Sequence, residues 1–236
     1  MKVVSNTEKG NRKINEDYII VDEINKVFIL ADGIGGCNAG EVASELSCKK
    51  LYDLIKQENY KFFDEKDAID IFKKTDVYIN DISLKNIEYN KMGTTLVLLQ
   101  YDEEKIRVTY VGDSRVYGIS IDENVIIQLT TDHTLGQELI RQGIDIDDEI
   151  YEENKNKLID CIGYKKGVKP EVIEEETNRF DYLVICSDGL HDYIDMNFVK
   201  DTLFQENIEI ANEIIMSKAL DLSYDNISFI IIKLND

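Results

Sequence analysis

Proline is almost absent from this chain of 236 residues, which contains only Pro170. No stretch rich in proline, glycine and serine interrupts the sequence, so nothing in it marks a linker between two domains. Hydrophobic residues make up 43% of the chain, which is an ordinary proportion for a globular protein. We therefore expect one domain over residues 1–236 with a core of good size.

Basic residues are scarce as well. The chain has 27 lysines and arginines against 47 acidic residues, which gives a formal net charge of −20. Proteins that bind nucleic acids concentrate lysine and arginine against the phosphate backbone. The composition therefore argues against a nucleic-acid partner. Most acidic side chains are expected on the solvated surface, which leaves a few positions for function to explain.

Histidine and cysteine are too few and too scattered for a zinc site. There are two histidines and four cysteines, with no CxxC pair. Cys161 and Cys186 lie in apolar runs and are predicted to be core residues. No arginine follows a cysteine by six positions, which excludes a cysteine-dependent phosphatase. His191-Asp192 resembles the metal-binding pair of HD hydrolases, but two histidines cannot furnish that site.

Long apolar runs are also missing. No segment approaches roughly 18 consecutive apolar residues, and residues 1–13 lack the apolar stretch of a signal peptide. We expect no membrane span, a cytoplasmic location and reduced thiols.

Runs rich in valine, isoleucine and tyrosine predict eight strands. They are Tyr18–Val21, Val27–Ala31, Thr95–Tyr101, Ile106–Val111, Val116–Ile121, Val125–Leu129, Tyr182–Cys186 and Ile227–Leu234. Short turns between several of them favour antiparallel hairpins.

Helical spacing of apolar residues predicts five helices. They are one that follows a cap at Asn38, one over about Asp67 to Ile87, and three over about Thr134–Gln142, Asn197–Phe204 and Ile208–Leu222. The first two fall together between the second and third strands. Strands in meanders with helices inserted in pairs indicate two antiparallel sheets packed together and flanked by helices.

Aspartates recur where apolar strands end. Three strands run into an aspartate that is followed by a small residue, and a fourth aspartate opens the last strand. The positions are Asp32-Gly33, Asp113-Ser114, Asp188-Gly189 and Asp225. One such aspartate is usually a turn residue, but strand ends meet in space, so these carboxylates can converge. Converging carboxylates need a cation, and an oxygen-only ligand set points to Mg²⁺ or Mn²⁺.

The amino-terminal segment adds charge of both signs. Glu16 and Asp17 provide further carboxylates, as ligands or through bound waters. Arg12 is a candidate phosphate anchor, because the planar guanidinium group matches phosphate oxygens. Gly33 has no side chain, so its carbonyl can approach a metal closely. A metal cluster beside an anion anchor is what hydrolysis of a phosphate ester requires.

Dinucleotide binding is an alternative interpretation of the same strand, glycine-rich turn and helix. Gly33 and Gly35 match the expected motif, but Asn38 stands where the third glycine belongs. Asp32 would also face the pyrophosphate with the wrong charge. This interpretation is rejected.

Eight short segments occur in one order between residues 12 and 228. They are RKINED (12–17), ADGIGGCNAGEVAS (31–44), MGTT (92–95), VGDSRVY (111–117), QLTTDHT (128–134), QELIRQG (137–143), CSDGL (186–190) and DNIS (225–228). Together they make the chain resemble the metal-dependent serine/threonine protein phosphatases of the type 2C family, in particular the compact bacterial members.

The resemblance implies an α+β fold: a four-layer sandwich of two antiparallel β-sheets packed face to face, with helix pairs on both outer faces. It implies two Mg²⁺ or Mn²⁺ ions, a third weaker ion, and direct attack of a metal-activated water on phosphoserine or phosphothreonine without a phosphoenzyme. The resemblance implies that Asp32 bridges two metals and that the Gly33 carbonyl binds one of them, while Asp188 and Asp225 complete the other site. It also implies that Glu16 and Asp17 hold the metal waters and that Asp113 with Asp188 binds the third ion. Arg12 would orient the phosphoryl group.

The implied partners are phosphorylated proteins and a cognate serine/threonine kinase, and the chain is expected to be a monomer. Residues 134–160 resemble the family's flap beside the active site. Ile34 and Cys37 occupy positions where some members carry histidine, and His133 is expected to be structural. A phosphoprotein-binding module with little catalysis and a partner-switching phosphatase of a sigma-factor pathway are the alternatives.

Overall fold

The computed structural model describes residues 1–34, 39–163 and 167–234 of the chain. These ranges contain ten strands. In chain order they are β1 (Lys2–Glu8), β2 (Asp17–Asp22), β3 (Val27–Asp32), β4 (Leu96–Tyr101), β5 (Lys105–Val111), β6 (Arg115–Ser120), β7 (Val125–Gln128), β8 (Glu171–Glu176), β9 (Tyr182–Cys186) and β10 (Ile227–Lys233).

The strands form two antiparallel five-stranded sheets. One has the order β1-β10-β9-β6-β7 and the other the order β2-β3-β4-β5-β8. Successive side chains of a strand point to opposite faces. Phe28 and Leu30 of β3 therefore face inward and form one buried cluster with Ile185 and Ile230 of the opposite sheet. Ile29, between them, faces outward into a second cluster.

Seven α-helices are described, and two pairs of them cover the sheets. In chain order they are α1 (Gly40–Gln57), α2 (Glu65–Lys85), α3 (Leu135–Arg141), α4 (Asp148–Asn154), α5 (Asp188–His191), α6 (Met196–Gln205) and α7 (Ile208–Leu222). Leu51 of α1 and Phe72 of α2 pack on the outer face of one sheet. Val199 of α6 and Ile215 of α7 pack on the other. The predicted four-layer α+β sandwich is confirmed.

The start of α1 differs from the prediction. The residue at the N-cap position is Ala39, in the left-handed region with φ 59°. Asn38, the predicted cap, lies outside the described residues, as does Cys37.

The sequence analysis did not predict the strands β1 and β8, and each lies at an edge of its sheet. An edge strand has one neighbour and can tolerate many polar side chains, so its apolar pattern is weak. The sequences KVVSNTE and EVIEEE illustrate this. Helix α4 was missed for the same reason, because none of its residues is buried.

Among the helices described, none combines the length and the hydropathy needed to cross a membrane.

Candidate active site

Five aspartates lie at one end of the sandwich because of where their strands begin and end. Asp17 opens β2 and Asp32 closes β3, and the two face each other in the antiparallel ladder. Asp113 follows β5 and Asp188 follows β9. Asp225 precedes β10, whose antiparallel pairing with β9 brings its start beside the end of that strand. The structure therefore brings these five side chains to the same end of the sandwich.

A cavity of about 240 Å³ opens at this end. Seven of the eight residues that the sequence analysis selected line it: Arg12, Glu16, Asp32, Gly33, Asp113, Asp188 and Asp225. The cavity is also lined by Ile34, Thr95, Asn156 and Leu158. The eighth selected residue, Asp17, is buried and does not line the cavity.

Asp17 has one satisfied and one unsatisfied oxygen. Its Oδ2 accepts a hydrogen bond of 2.9 Å from the Ser187 hydroxyl, whereas its buried Oδ1 has no partner among the described residues. Burial raises the pKa of Asp17 to about 6, although the nearby hydroxyl groups of Ser228 and Ser187 oppose the shift. An unsatisfied buried carboxylate oxygen is costly, so this one calls for a water or a cation.

The other carboxylates perturb one another. Burial raises the pKa of Asp32 well above its ordinary value, and the nearby negative charges of Asp17, Asp188 and Asp113 add to the shift. Burial likewise raises the pKa of Asp188, with Asp113 and Asp225 adding to it. The pKa of Asp113 rises to about 7, mainly through burial. Such a cluster binds protons or cations strongly, because either relieves the repulsion.

Gly33 is a point of close backbone approach. Its N–H donates to the Glu16 carbonyl at 3.0 Å, and a Cβ at this position would lie 2.6 Å from that carbonyl oxygen. Only glycine therefore fits here. The contact holds the segment with Glu16 against the end of β3. Burial, and then the charge of Glu41, raise the pKa of the Glu16 carboxyl.

Arg12 lies at the rim of the cavity. Its guanidinium group donates to Asp225 Oδ2 at 2.6 Å, and about half of its side chain is exposed (49%). The group therefore combines access to solvent with a position next to the carboxylates. An anion that enters the cavity would meet it.

Asn226 organises this region, and the sequence analysis gave it no role beyond its place in the DNIS segment. Its side-chain amide donates to the carbonyls of Lys9 and Ile14, each at 2.9 Å. Its Oδ1 accepts the Glu16 N–H at 2.9 Å. One buried side chain thus shapes the loop that carries both Arg12 and Glu16.

Hydroxyl groups fix the backbone at Asp32. The Asp32 N–H donates to Thr95 Oγ1 at 2.9 Å, and Thr94 Oγ1 donates to the Asp32 carbonyl at 2.8 Å. Thr95 Oγ1 also lies 2.7 Å from Ser114 Oγ. This network explains why two threonines stand together in the MGTT segment.

The chemistry of these donors fits a divalent cation. All of the side-chain donors are carboxylates, and Asp17 Oδ1 is unsatisfied. Hard cations such as Mg²⁺ and Mn²⁺ prefer oxygen ligands. Within the described ranges, no three His, Cys, Asp or Glu side chains form a group that could hold an ion by themselves. Backbone carbonyl oxygen and waters would therefore complete the coordination, as Mg²⁺ in particular often requires.

The predicted flap region borders this cavity. It contains α3 and α4, and a β-bridge between Thr134 and Leu158 closes it. Thr134 caps α3 by accepting from the Gln137 N–H. Leu158 and Asn156 line the cavity. Two residues of the predicted flap segment therefore lie in the wall of the cavity.

A second cavity, of about 560 Å³, is lined in part by residues of the same segment, among them Gln137, Glu138 and Arg141. Its lining contains both acidic and basic side chains. Two of the acidic ones form ion pairs: Asp132 with Arg115 at 2.6 Å and Glu138 with Arg141 at 2.7 Å. Converging carboxylates occur in the smaller cavity, which makes that one the candidate active site.

The comparison with known proteins agrees with this site. The family model for protein phosphatase 2C matches residues 8–222. The serine/threonine phosphatase stp of Listeria welshimeri is 30% identical over 243 aligned residues, which cover 97% of this chain and 94% of the relative. The protein phosphatase PhpP of Streptococcus pneumoniae is 27% identical over an alignment that covers 90% of this chain and 88% of PhpP.

Solved structures show the same fold. The crystal structure of the serine/threonine phosphatase Stp1 from Staphylococcus aureus superimposes with a TM-score of 0.89 at 31% identity, over 100% of this chain and 95% of that one. Given the family match along most of its length, this chain belongs to the protein phosphatase 2C family of serine/threonine phosphatases.

Proposed function

We propose that this phosphatase hydrolyses phosphoserine and phosphothreonine in proteins by direct attack of water, with two divalent ions, Mg²⁺ or Mn²⁺, held in the acidic cavity. One observation carries the proposal. Seven of the eight residues selected from the sequence line a single cavity, and the eighth, Asp17, lies buried with an unsatisfied oxygen.

Each residue has a proposed role. Asp32 would hold both ions, the Gly33 carbonyl would hold one of them, and Asp188 and Asp225 would hold the other. Glu16 and Asp17 would hold bound waters, and Asp113 with Asp188 would hold a third, weaker ion. Two such ions lower the pKa of a water between them and offset charge on the phosphoryl oxygens. The protein supplies a cluster of carboxylates whose raised pKa values favour exchange of a proton for a cation.

Arg12 positions the phosphoryl group. Its guanidinium group already lies at the rim, bonded to Asp225, and can donate two parallel hydrogen bonds to phosphate oxygens. Ile34 lines the cavity, and no histidine is found among the described lining residues. Protonation of the leaving serine or threonine oxygen therefore does not come from an imidazole in this cavity.

The proposed substrates imply a serine/threonine kinase that phosphorylates them. The monomeric state and the cytoplasmic location stay predictions.

Metal removal tests the proposal. Purified protein with Mn²⁺ should hydrolyse para-nitrophenyl phosphate and a phosphothreonine peptide, and excess EDTA should reduce both rates to background. Activity should return when Mn²⁺ is restored. Full activity in EDTA would contradict the metal requirement. Folded, Mn²⁺-loaded protein without turnover on either substrate would favour the phosphoprotein-binding alternative.

Replacing Arg12 with alanine should weaken substrate binding more than catalysis. We expect KM for the phosphothreonine peptide to rise about tenfold while kcat falls less, because the lost interaction anchors the phosphoryl group in the ground state as well as in the transition state. Steady-state kinetics measure both constants.

Lys13→Ala is the matched control for Arg12→Ala. It removes one positive charge from the neighbouring exposed residue, which does not line the cavity, so KM should stay near the wild-type value. A large fall in kcat at unchanged KM in Arg12→Ala would contradict the anchoring role.

A further inference from the structure

The only two histidines of this chain, His133 and His191, contact the same backbone turn, Gly112-Asp113. The Gly112 N–H donates to His133 Nδ1 at 3.2 Å. His191 Nε2 lies 3.1 Å from the Asp113 carbonyl oxygen. Neither histidine lines the acidic cavity, so neither is placed to contact substrate.

The turn is confined from the opposite side as well. Gly112 has φ 105°, and a Cβ on it would lie 2.6 Å from Thr95 Cβ, so Thr95 blocks movement in that direction. The Gly112 carbonyl accepts the His133 N–H at 3.0 Å. His133 therefore satisfies both backbone groups of Gly112, and the direction in which Asp113 leaves the turn is fixed.

His133 is itself held rigidly. Its ring stacks on Tyr110, with centroids 5.1 Å apart and an interplanar angle of 22°. Its Nε2 lies 3.5 Å from Glu171 Oε1, and the Tyr110 hydroxyl donates to the other Glu171 oxygen at 2.9 Å. The preceding residue, Asp132, accepts hydrogen bonds from the Arg115 guanidinium group. These contacts keep the ring in one orientation.

The hydrogen bond fixes the tautomer of His133. A nitrogen that accepts an N–H carries no proton, so the proton of the neutral ring lies on Nε2, towards Glu171. Burial lowers the pKa of His133, which agrees with a neutral ring.

His191 connects two carboxylate-bearing elements. It is the last residue of α5, the short helix that begins at Asp188, and its side chain is almost fully buried (2% exposed). A carbonyl oxygen can only accept, so His191 donates from Nε2 to Asp113. This bond ties the helix that starts at Asp188 to the turn that carries Asp113.

We propose that His133 and His191 are positioning residues, which together set the distance and orientation between the Asp113 and Asp188 carboxylates and so determine the affinity for the third, weaker divalent ion. The inference rests on the proposed function, in which these two aspartates share that ion. Hydrogen-bonding partners of a metal ligand typically change metal affinity by about 10- to 100-fold. We expect about a tenfold weakening for each broken contact.

Asparagine and glutamine separate the two contacts by geometry. The asparagine amide lies near the position of Nδ1, and the glutamine amide near that of Nε2. His133→Asn should therefore keep the acceptor for the Gly112 N–H, and His133→Gln should lose it. At His191 the order reverses, because His191→Gln keeps the donor to Asp113 and His191→Asn does not.

The test is calorimetric titration of metal-free protein with Mn²⁺ alone, for wild type and the four variants. The weakest binding event should weaken about tenfold in His133→Gln and His191→Asn, and by much less in His133→Asn and His191→Gln. KM for para-nitrophenyl phosphate at saturating Mn²⁺ should stay unchanged in all four. Thermal melts in EDTA show which variants are folded.

Three results would overturn the proposal. All four variants could bind Mn²⁺ as the wild type does, both substitutions at one site could weaken binding equally, or the order could be the same at both sites. A loss of packing alone predicts no reversal between the two positions.

Asp113→Asn separates this proposal from the proposed function. If that variant binds Mn²⁺ as the wild type does, the role of Asp113 is wrong whatever the histidines do. The contacts of His133 with Gly112 and of His191 with Asp113 are then tested by long-range ¹H–¹⁵N spectra of the metal-free protein, in which two histidines give two ring systems. A proton on Nε2 of both rings supports these contacts, and a proton on Nδ1 of His133 rules out the contact with Gly112.

Discussion

Replacing Asp32 with asparagine should abolish phosphatase activity and leave the metal-free protein at least as stable as the wild type. Asp32 is the proposed bridge between two ions, so its loss should reduce kcat by a factor of about 10³ or more. In the metal-free protein the same side chain lies among four other carboxylates that raise its pKa. Asparagine removes that repulsion and keeps the shape, so the melting temperature in EDTA should not fall.

The opposite directions of these two effects distinguish a metal ligand from a residue that merely supports the fold. Asp122→Asn is the control, because it makes the same chemical change at an exposed position in the turn after β6, at the other end of the sandwich. Both its activity and its melting temperature should match the wild type. Asp32→Asn with activity within tenfold of the wild type at saturating Mn²⁺ would contradict the bridging role.

Stabilisation of the protein by Mn²⁺ should depend strongly on pH. Burial raises the pKa of Asp17 to about 6 and that of Asp113 to about 7. At pH 5 these groups hold protons that compete with the metal, whereas at pH 7.5 they are ionised. Free Mn²⁺ at about 100 times Kd stabilises a protein by about 2.7 kcal/mol per site. We expect Tm to rise by about 5–10 °C at pH 7.5 and to change little at pH 5.

The same pKa shifts determine whether the metal-free protein gains or loses stability as the pH rises. Unfolded aspartate titrates near pH 4, so between about pH 4 and 7 the folded state holds more protons than the unfolded state. The contribution of these two groups to stability is present below about pH 4 and is lost as the pH rises through their folded pKa values. Mn²⁺ restores it at neutral pH, because the cation takes the place of the protons.

Differential scanning fluorimetry in EDTA and in Mn²⁺ at several pH values measures this effect. Asp113→Asn provides the comparison. In EDTA at pH 7.5 it should melt above the wild type, since it lacks one buried charge, and the difference should shrink at pH 5. A Tm shift on addition of Mn²⁺ that is equal at pH 5 and 7.5 would contradict the expected competition between protons and metal.

The central strands could be predicted because their neighbours on both faces are apolar. The strands β3 (VFILAD) and β9 (YLVIC) are buried almost throughout. Continuous apolar runs of this kind can be recognised within a short window of sequence. The aspartates that end them could be found in the same way, as abrupt breaks in apolar runs. Seven of the eight residues selected from the sequence accordingly line one cavity.

The edge strands β1 and β8, the role of Asn226 and the histidine contacts could not be found in this way. Asn226 and Glu16 are 210 positions apart, and no local pattern predicts that one hydrogen-bonds the other. Asp17 is buried and does not line the cavity, and its bond to Ser187 of the opposite sheet forms only after the sheets have packed.

By itself the sequence determined which side chains are available and where the buried strands end, because burial imposes a local periodicity on the residues. Only the tertiary structure decided which of those ends meet, which carboxylates face the cavity and which backbone turns are held by side chains distant in sequence. The physical reason is that hydrophobic burial is recorded position by position along the chain, whereas hydrogen bonds and charge repulsion depend on distances that exist only after the sheets have packed.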